Sequence, residues 1–473
     1  MQIESKIIGI INDKLKNPIY ETLRLLNMKT ILIKSNFSKK EGVAVHMVLL
    51  HFVYMLVMNK KISTFMNQSK DSFKKDVYYR LLSNASYNYR KLLSLSSLKI
   101  LSLLHKVQDS KLIRVLILDD TVEDKVGKNI EGSCDNLWSN KVKRKIRGVN
   151  VVSLNYSDGF SNFMLDFAIA MNSYAMVKIE EFTNIIDHRT NAHKRRLEAL
   201  KGKSQIAIEM IKRAVASGIY ADYLLVDSWY SKPVFIEKMN ELGLQVISRM
   251  VNNDKIWNFI GEKKTLDGIY NKFKKLKSIK MSQYGKKIKF EYFSTIVEHK
   301  KTGKLKIVFI KTTKSEQAML VRKENLIPIV STNLNLSDEE IIDIYKRRWD
   351  IEQGYKELRE HFGFGKEENR IYEALIARIT LSFFTYNIVS YINRISNEPK
   401  TIGGLFKDLE CELHTLAIAM QAFIAILDEI AKIEEVVNRN EDFTAIIDLL
   451  RDVTAKLLEF RCESYVSKVV VLL

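Results

Sequence analysis

Cysteine, proline and histidine are all scarce in this chain. Its 473 residues include 3 cysteines, 4 prolines and 8 histidines. Cys134, Cys411 and Cys462 are far apart and form no CxxC pair, so we expect free thiols in a reducing compartment and exclude a disulfide scaffold. Four prolines are too few for a proline-rich linker between domains. The histidines form no HxxxH pattern, and none is expected to bind a metal.

Long apolar runs and a secretion signal are also missing. The N-terminal residues show no basic segment followed by an apolar core, so we expect no signal peptide. The most apolar run extends from Val43 to Met58 and contains two histidines. A membrane span needs about 20 apolar residues. The run is therefore predicted to be a buried helix, and no contact with a membrane is expected.

Positive charge is abundant. Lys and Arg number 75 against 56 Asp and Glu, which gives a net charge of +19 at pH 7. With 46% hydrophobic and 28% charged residues, the composition is that of a folded globular protein. A basic chain of this size is expected to meet a polyanion, with DNA or RNA as the first candidates. Charge alone does not separate a nucleic-acid enzyme from a ribosome-bound or membrane-surface protein.

Hydrophobic periodicity divides the chain into five predicted parts. Strands followed by helices after residue 107 indicate an α/β sheet. The parts are a helical region at 1–107, an α/β core at 108–250, a basic β-rich insert at 251–325, the remainder of the core at 326–370, and a helical region at 371–473. The first region suits either a DNA-binding domain or an ordinary helical domain. The last region is a candidate for dimerisation.

Acidic residues follow two predicted strands. The apolar run 113–118 ends at Asp119 and Asp120, and a second strand ends at Asp227. Ligands of an open α/β sheet bind at the carboxyl ends of strands. Carboxylates brought together there need a cation between them, and oxygen ligands without His or Cys favour Mg²⁺ or Mn²⁺. In a regular strand Asp119 and Asp120 face opposite ways, so only one is expected to be a ligand.

A third carboxylate is offered by a predicted helix at 337–362, which begins with a capping-box pattern. Tyr345, Arg348, Glu352 and Arg359 recur at spacings of 3, 4 and 7, so they share one helix face. Glu352 could bind a metal while the two arginines hold phosphates. The alternative is a salt-bridged surface face. The neighbouring Trp349 is expected to pack in the core.

These residues resemble a known family. Tyr345, Arg348 and Glu352 match the Y-x2-R-x3-E-x6-K motif of the IS-four family of bacterial insertion-sequence transposases. The DDT at 119–121 and the LLVDSWY around Asp227 are similar to that family's first and second catalytic aspartates. The resemblance extends over roughly 110–370.

The resemblance implies a fold and an activity. The implied fold is α/β, a ribonuclease-H-like mixed sheet flanked by helices, with a β-rich insert and helical N- and C-terminal regions. The implied activity is that of a DDE transposase, which cuts transposon ends with Mg²⁺, or Mn²⁺ as an alternative, and joins them to target DNA. Asp119, Asp227 and Glu352 would be the catalytic metal ligands, and the family pattern favours Asp119 over Asp120.

The implied DNA contacts include one departure from the motif. Tyr345, Arg348 and the last motif position would lie near the cleaved end, but that position is Arg359 instead of Lys, which keeps the charge and changes the geometry. Lys356, one turn after Glu352, is an alternative.

A second basic cluster lies between the predicted strands. Five of the seven residues at 141–147 are basic. Within this run Lys143, Arg144 and Lys145 are candidates for contacts with the DNA backbone, with a solvated hairpin as the other interpretation.

Three hypotheses remain at this point. The first is a transposase that acts as a homodimer on paired DNA ends, in the bacterial cytoplasm at the nucleoid. The second is a metal-dependent nuclease of the same fold that does not join strands. The third is a non-catalytic DNA-binding relative of a transposase.

Overall fold

A computed structural model gives the structure of eleven segments of the chain. They are residues 18–39, 41–68, 73–106, 111–127, 129–139, 142–251, 257–272, 277–283, 286–311, 326–366 and 369–414. The described part of the N-terminal region is helical, as predicted. Its helices are α1 (Pro18–Leu25), α2 (Met28–Lys34), α3 (Val45–Val57), α4 (Ile62–Gln68), α5 (Lys75–Leu82) and α6 (Tyr89–His105).

The strands of the described segments join into one twelve-stranded sheet. They are β1 (Val115–Asp124), β2 (Cys134–Ser139), β3 (Arg144–Ser157), β4 (Asn162–Ala170), β5 (Tyr223–Val226), β6 (Gln245–Arg249), β7 (Trp257–Phe259), β8 (Glu262–Lys264), β9 (Lys277–Gln283), β10 (Lys286–His299), β11 (Gly303–Lys311) and β12 (Leu326–Ser331).

The central five strands have the order β4-β3-β1-β5-β6. β1 is antiparallel to β3 and parallel to β5, and β5 is parallel to β6. Residues 115–118 of β1 and all of β5 are buried, as expected of strands covered on both faces. This mixed sheet flanked by helices is consistent with a ribonuclease-H-like DDE fold and confirms the predicted fold class.

The inserted strands extend this sheet. β12 pairs antiparallel with β6 on one side and with β11 on the other, and β11 continues to β10. Trp257, Phe293 and Phe309 belong to a separate hydrophobic cluster here, in which the two phenylalanine rings stack at 4.7 Å. The insert therefore has its own small core while it shares the sheet of the α/β core.

The remaining helices flank the sheet. They are α7 (Ser173–Ile185), α8 (Asn191–Ala199), α9 (Lys203–Ala216), α10 (Pro233–Glu241), α11 (Leu266–Tyr270), α12 (Asp338–Lys346), α13 (Trp349–His361), α14 (Tyr372–Ile395) and α15 at 402–414. Two helices, α8 and α9, precede β5, and α9 begins after Gly202, whose φ of −63° and ψ of 147° are extended.

The helix predicted at 337–362 is also divided. Ser337 and Glu340 form the predicted capping box at the start of α12. The helix then bends at Arg347 and Arg348, where Arg348 N donates to Tyr345 O at 3.0 Å and Asp350 N to Arg347 O at 2.9 Å. These three-residue steps replace the regular four-residue hydrogen bonds. Glu352 is therefore on a different helix from Tyr345.

Apolar helices tie the N-terminal region to the sheet. α6 packs against β4 and α14, and all three contribute to one hydrophobic core. The buried helix predicted from the apolar run is confirmed as α3, in which Phe52 and Val53 are fully buried. α14 is the one described helix that is long and apolar enough to cross a membrane, and 94% of its apolar window is buried inside the protein. Of the region at 371–473 that is a candidate for dimerisation, the structure describes residues 371–414, and residues 415–473 lie outside the described residues.

Candidate active site

The two aspartates are brought together by the pairing of β1 with β5. Leu118 lies opposite Val226 in the parallel register. Asp119 follows Leu118 directly in the chain, and Asp227 follows Val226. β5 ends at Val226, whereas β1 continues beside β3 to Asp124. The first strand, predicted to end in the acidic residues that begin at Asp119, is therefore longer than predicted. Among the described residues, β1 has no neighbouring strand on the side of β5 from Asp119 onwards, and its residues 119–124 line a cleft.

This cleft is a cavity of about 680 Å³. It is large enough for a small ligand or part of a nucleic-acid strand. Residues of β1, the residue that follows β5, and residues around the bend between α12 and α13 contribute to its wall. The predicted site residues that line it are Asp119, Asp227, Tyr345, Arg348, Glu352 and Arg359.

Asp119 is the most perturbed of the acids. Burial, together with the charges of Asp227 and Asp120, raises its pKa to about 8, and Arg348 opposes the rise. Burial and the charge of Asp120 likewise raise the pKa of Asp227. Raised pKa values in a cleft are typical of functional sites, and here their main cause is burial, with a smaller contribution from neighbouring carboxylates.

Asp120 has protein partners of its own. Its Oδ1 accepts from Lys203 Nζ at 2.7 Å and from the Tyr230 hydroxyl at 3.4 Å. Asp120 also lines the cavity, although strand alternation predicts that only one of the two adjacent aspartates would do so. Lys203 thus balances the charge of Asp120, whereas Asp119 shares the guanidinium of Arg348 with Glu352.

Arg348 lies between two of the proposed ligands. Its Nη1 is 3.3 Å from Asp119 Oδ2 and its Nη2 is 2.7 Å from Glu352 Oε1. The Arg348 side chain is only 12% exposed, while that of Glu352 is 36% exposed. Tyr345, whose pKa burial raises to about 12, donates its hydroxyl to Val226 O at 3.5 Å beside Asp227.

Arg359 is engaged at the other side of the cavity. Its Nε and Nη2 donate to Glu123 Oε1 at 2.9 and 2.6 Å, and Nη2 also donates to the Thr121 hydroxyl. Glu123 is buried at 7% exposure. A bidentate pair of this kind orients both side chains. The motif position occupied by Lys in the family thus holds a guanidinium fixed to β1.

The other basic residues that the sequence predicts as DNA contacts lie outside the cavity wall. Lys356 is exposed on α13. Lys143, Arg144 and Lys145 are exposed where β3 begins, whereas their neighbours Val142 and Ile146 face into the cavity. These side chains are therefore placed beside the cleft, where they could track a strand that enters it.

A metal ion fits the donor chemistry but not the present side-chain positions. Among the residues that the structure describes, no group of three or more His, Cys, Asp and Glu side chains is close enough to hold an ion. Asp119 and Asp227, however, are partly buried oxygen donors, and the charge of Asp227 raises the pKa of Asp119, a repulsion that a bound cation relieves. Glu352 is turned to Arg348 instead of towards them.

Aromatic and basic residues near the site were missed or misjudged from the sequence. Trp349 is 46% exposed, so the prediction of core packing is wrong. Trp229 is 39% exposed, and the ammonium groups of Lys203 and Lys232 lie 3.8 and 4.3 Å from its ring centre. Trp138, exposed on β2, lines the cavity. Of these residues, only Trp229 is indicated by the sequence as a neighbour of the site, because it lies two positions after Asp227.

Comparison with known proteins agrees with this geometry. No curated protein matches the chain. Residues 70–262 match the family model of the DDE superfamily endonucleases, a range that includes Asp119 and Asp227 and ends before Glu352. The match supports a DDE-type nuclease or transposase that acts on DNA, a class of enzymes that generally uses divalent metal ions.

Proposed function

We propose that this protein is the DNA transposase of an insertion sequence, which cleaves transposon ends and transfers the strands to target DNA. The observation that carries the proposal is the convergence of Asp119, Asp227 and Glu352 on one cavity, beside arginines that can hold phosphate. The net charge of +19 and the match to DDE superfamily endonucleases over 70–262 support DNA as the substrate.

In this proposal Asp119, Asp227 and Glu352 hold the metal ions, Mg²⁺ or Mn²⁺. When bound, such ions activate a water or a 3′-hydroxyl and stabilise the leaving oxygen of a phosphodiester. Asp119 would hold the ion as a carboxylate, so its raised pKa means that binding of the cation would release a proton. Glu352, which is 36% exposed, turns from Arg348 into the site.

The arginines and the tyrosine position the DNA. Arg348 and Arg359 present planar guanidinium groups that match the geometry of a phosphate. The hydroxyl of Tyr345, held beside Asp227, lies where it can donate to the strand near the cleaved bond. Lys356 lies on the exposed side of the helix that carries Glu352 and is a candidate for a contact with the backbone outside the cavity.

The basic residues at the start of β3 extend this interface. Lys143, Arg144 and Lys145 are exposed beside the cavity entrance, and we assign them contacts with the phosphate backbone. Cutting two ends in concert requires two active sites, so we propose a homodimer on paired ends. Such a protein works on chromosomal DNA, in the cytoplasm at the nucleoid.

Strand joining is the test that separates a transposase from a nuclease. The purified full chain is incubated with Mg²⁺, a supercoiled target plasmid, and a duplex that carries the DNA flanking its own gene. We expect cuts at the ends of the element and products in which the freed 3′-hydroxyl is joined to the plasmid. Cuts without joined products would contradict strand transfer, and the protein would then be a metal-dependent nuclease.

A second outcome would overturn catalysis altogether. If the protein binds the duplex but makes no cut with either Mg²⁺ or Mn²⁺, it is a non-catalytic DNA-binding protein. The ion pair of Arg348 with Glu352 is the observation that favours this candidate, because a permanent pair would keep Glu352 from serving as a metal ligand.

A further inference from the structure

Arg348 is a cation built into the acidic centre of the cavity. The two Nη atoms of one guanidinium contact Asp119 at 3.3 Å and Glu352 at 2.7 Å, so the group is shared by carboxyls of a strand and a helix. Burial alone lowers the pKa of Arg348, but Tyr345, Asp119 and Glu352 together raise it above its ordinary value, which keeps the group charged.

The two ends of this bridge differ in their freedom to move. Asp119 lies within the regular pairing of β1 with β3 and is 13% exposed. Glu352 is 36% exposed at the first turn of α13, where a change of rotamer exposes the carboxylate to water without opening the core. When the bridge breaks, Glu352 is therefore the side chain that turns, and Asp119 stays in place.

We propose that Arg348 is a positioning residue that couples DNA binding to assembly of the metal site. Without DNA, the guanidinium holds Glu352 in an ion pair. A phosphate of the bound strand takes over the guanidinium and frees Glu352 to join Asp119 and Asp227. The inference rests on the proposed function, since it assigns the phosphate to DNA.

A phosphate is suited to this exchange for two reasons. A guanidinium donates two parallel hydrogen bonds to phosphate oxygens as well as to a carboxylate, so the exchange keeps its hydrogen bonding. The Trp349 ring, 5.3 Å from the Arg348 Cζ and partly exposed, is an aromatic face beside the guanidinium at the helix bend. Reciprocity then requires the metal to tighten DNA binding by the same factor by which DNA tightens metal binding.

The test measures metal binding itself, with Mn²⁺ as the probe. Free Mn²⁺ is followed by electron paramagnetic resonance during titration of the full chain at 4 °C, with and without a duplex of the flanking DNA that is checked for integrity afterwards. We expect the duplex to raise the Mn²⁺ affinity of the wild type about tenfold. We expect Arg348→Ala to bind Mn²⁺ about tenfold more tightly without DNA and to gain less than about twofold with it.

Two controls separate release of Glu352 from a general loss of positive charge. Arg359→Ala removes a cation from the same cavity, but that cation pairs with Glu123 and not with the three acids. Its Mn²⁺ affinity without DNA should change less than about twofold. In Arg348→Ala/Glu352→Gln, the gain should disappear, because it depends on Glu352.

The outcomes distinguish this inference from the proposed function. Equal Mn²⁺ affinity in Arg348→Ala and the wild type overturns the inference, as does a gain that persists without Glu352 or appears equally in Arg359→Ala. Failure of the wild type to bind the duplex contradicts the proposed function instead. In that case the DNA-free comparison still tests whether Arg348 competes with a metal for Glu352.

Discussion

Arg348 Nη2 lies 2.7 Å from Glu352 Oε1, four residues further along the chain, and the same guanidinium reaches Asp119 on β1 at 3.3 Å. This contact joins the third proposed acid to the first through a positive charge. It explains how three carboxyl groups line one cavity while none of them is yet arranged around an ion. The acids and the arginines of the site must therefore be tested as a unit.

The first prediction concerns Glu352. Glu352→Ala should lower the rate of DNA cleavage at least about a thousandfold, because the loss of a metal ligand removes a group that acts at the reacting phosphate. Duplex affinity should stay within about threefold, since the basic residues that hold the backbone remain. Single-turnover cleavage and a filter-binding titration measure the two quantities.

Gln353 provides the matched control for this variant. It is exposed on the same helix, and its amide donates to Glu357 at 2.9 Å, away from the three acids. Gln353→Ala should cleave at a rate close to that of the wild type. Cleavage retained in Glu352→Ala refutes the assignment of the third ligand.

The second prediction separates the two adjacent aspartates. Asp119→Asn should abolish cleavage and weaken Mn²⁺ binding, whereas Asp120→Asn should keep at least about a tenth of the activity, because Lys203 and Tyr230 already satisfy Asp120. Cleavage assays and Mn²⁺ titrations of the two isosteric variants provide the comparison. The reverse order of effects would make Asp120 the ligand.

The third prediction is a pH dependence of stability in EDTA. Asp119 has a folded-state pKa of about 8 against an ordinary value of 3.8, so the folded protein binds the extra proton and loses stability as pH rises from about 4 through 8. Asp119→Asn mimics the protonated acid at every pH. Its free energy of unfolding should exceed that of the wild type by about 5 kcal/mol at pH 8 and approach it below pH 4.

Thermal unfolding at several pH values measures this difference as a change in Tm. Adding Mg²⁺ should restore stability to the wild type at pH 8 and leave the variant unchanged, because a bound cation stabilises the ionised acid. Parallel Tm curves for the two proteins from pH 4 to pH 8 would show that Asp119 does not carry the raised pKa.

The fourth prediction separates the structural role of Arg359 from its contact with DNA. Arg359→Ala leaves the buried Glu123 without its bidentate partner and should lower the free energy of unfolding by about 2 kcal/mol. Arg359→Ala/Glu123→Gln should recover most of this loss. DNA affinity should remain weakened severalfold in both, with the salt slope reduced by about one.

Chemical denaturation and salt-dependent binding titrations give these quantities. Full recovery of DNA affinity in the double variant means that Arg359 only supports β1. Arg359→Lys, which introduces the residue found in the related motif, tests whether a single point charge can serve both purposes.

Much of the site could be predicted because its signals are local in the sequence. Asp119 and Asp227 each follow a short apolar run, and such runs become neighbouring buried strands. Tyr345, Arg348 and Glu352 are spaced at helical intervals, which places them near one another even across the bend.

The rest depends on contacts between distant parts of the chain. Arg359 meets Glu123 across 236 positions, and Lys203 meets Asp120 across 83. In neither pair do the neighbouring residues in the sequence indicate which residue is the partner. The bend at Arg348 has no Gly or Pro to mark it, and it arises where α12 ends against the sheet and α13 begins. Tertiary packing decides such features.

The measurement that tests the central claim most directly is metal-dependent DNA cleavage by the wild type and by a variant of Asp227. The wild type and Asp227→Asn, which is close in size and keeps an acceptor oxygen for Trp229 N and Tyr230 N, are compared on the duplex of flanking DNA with Mg²⁺ and with EDTA. We predict cuts at the ends of the element only for the wild type with Mg²⁺, and DNA binding by both proteins. Cuts in EDTA, or equal cleavage by Asp227→Asn, would contradict a metal site built on these carboxylates.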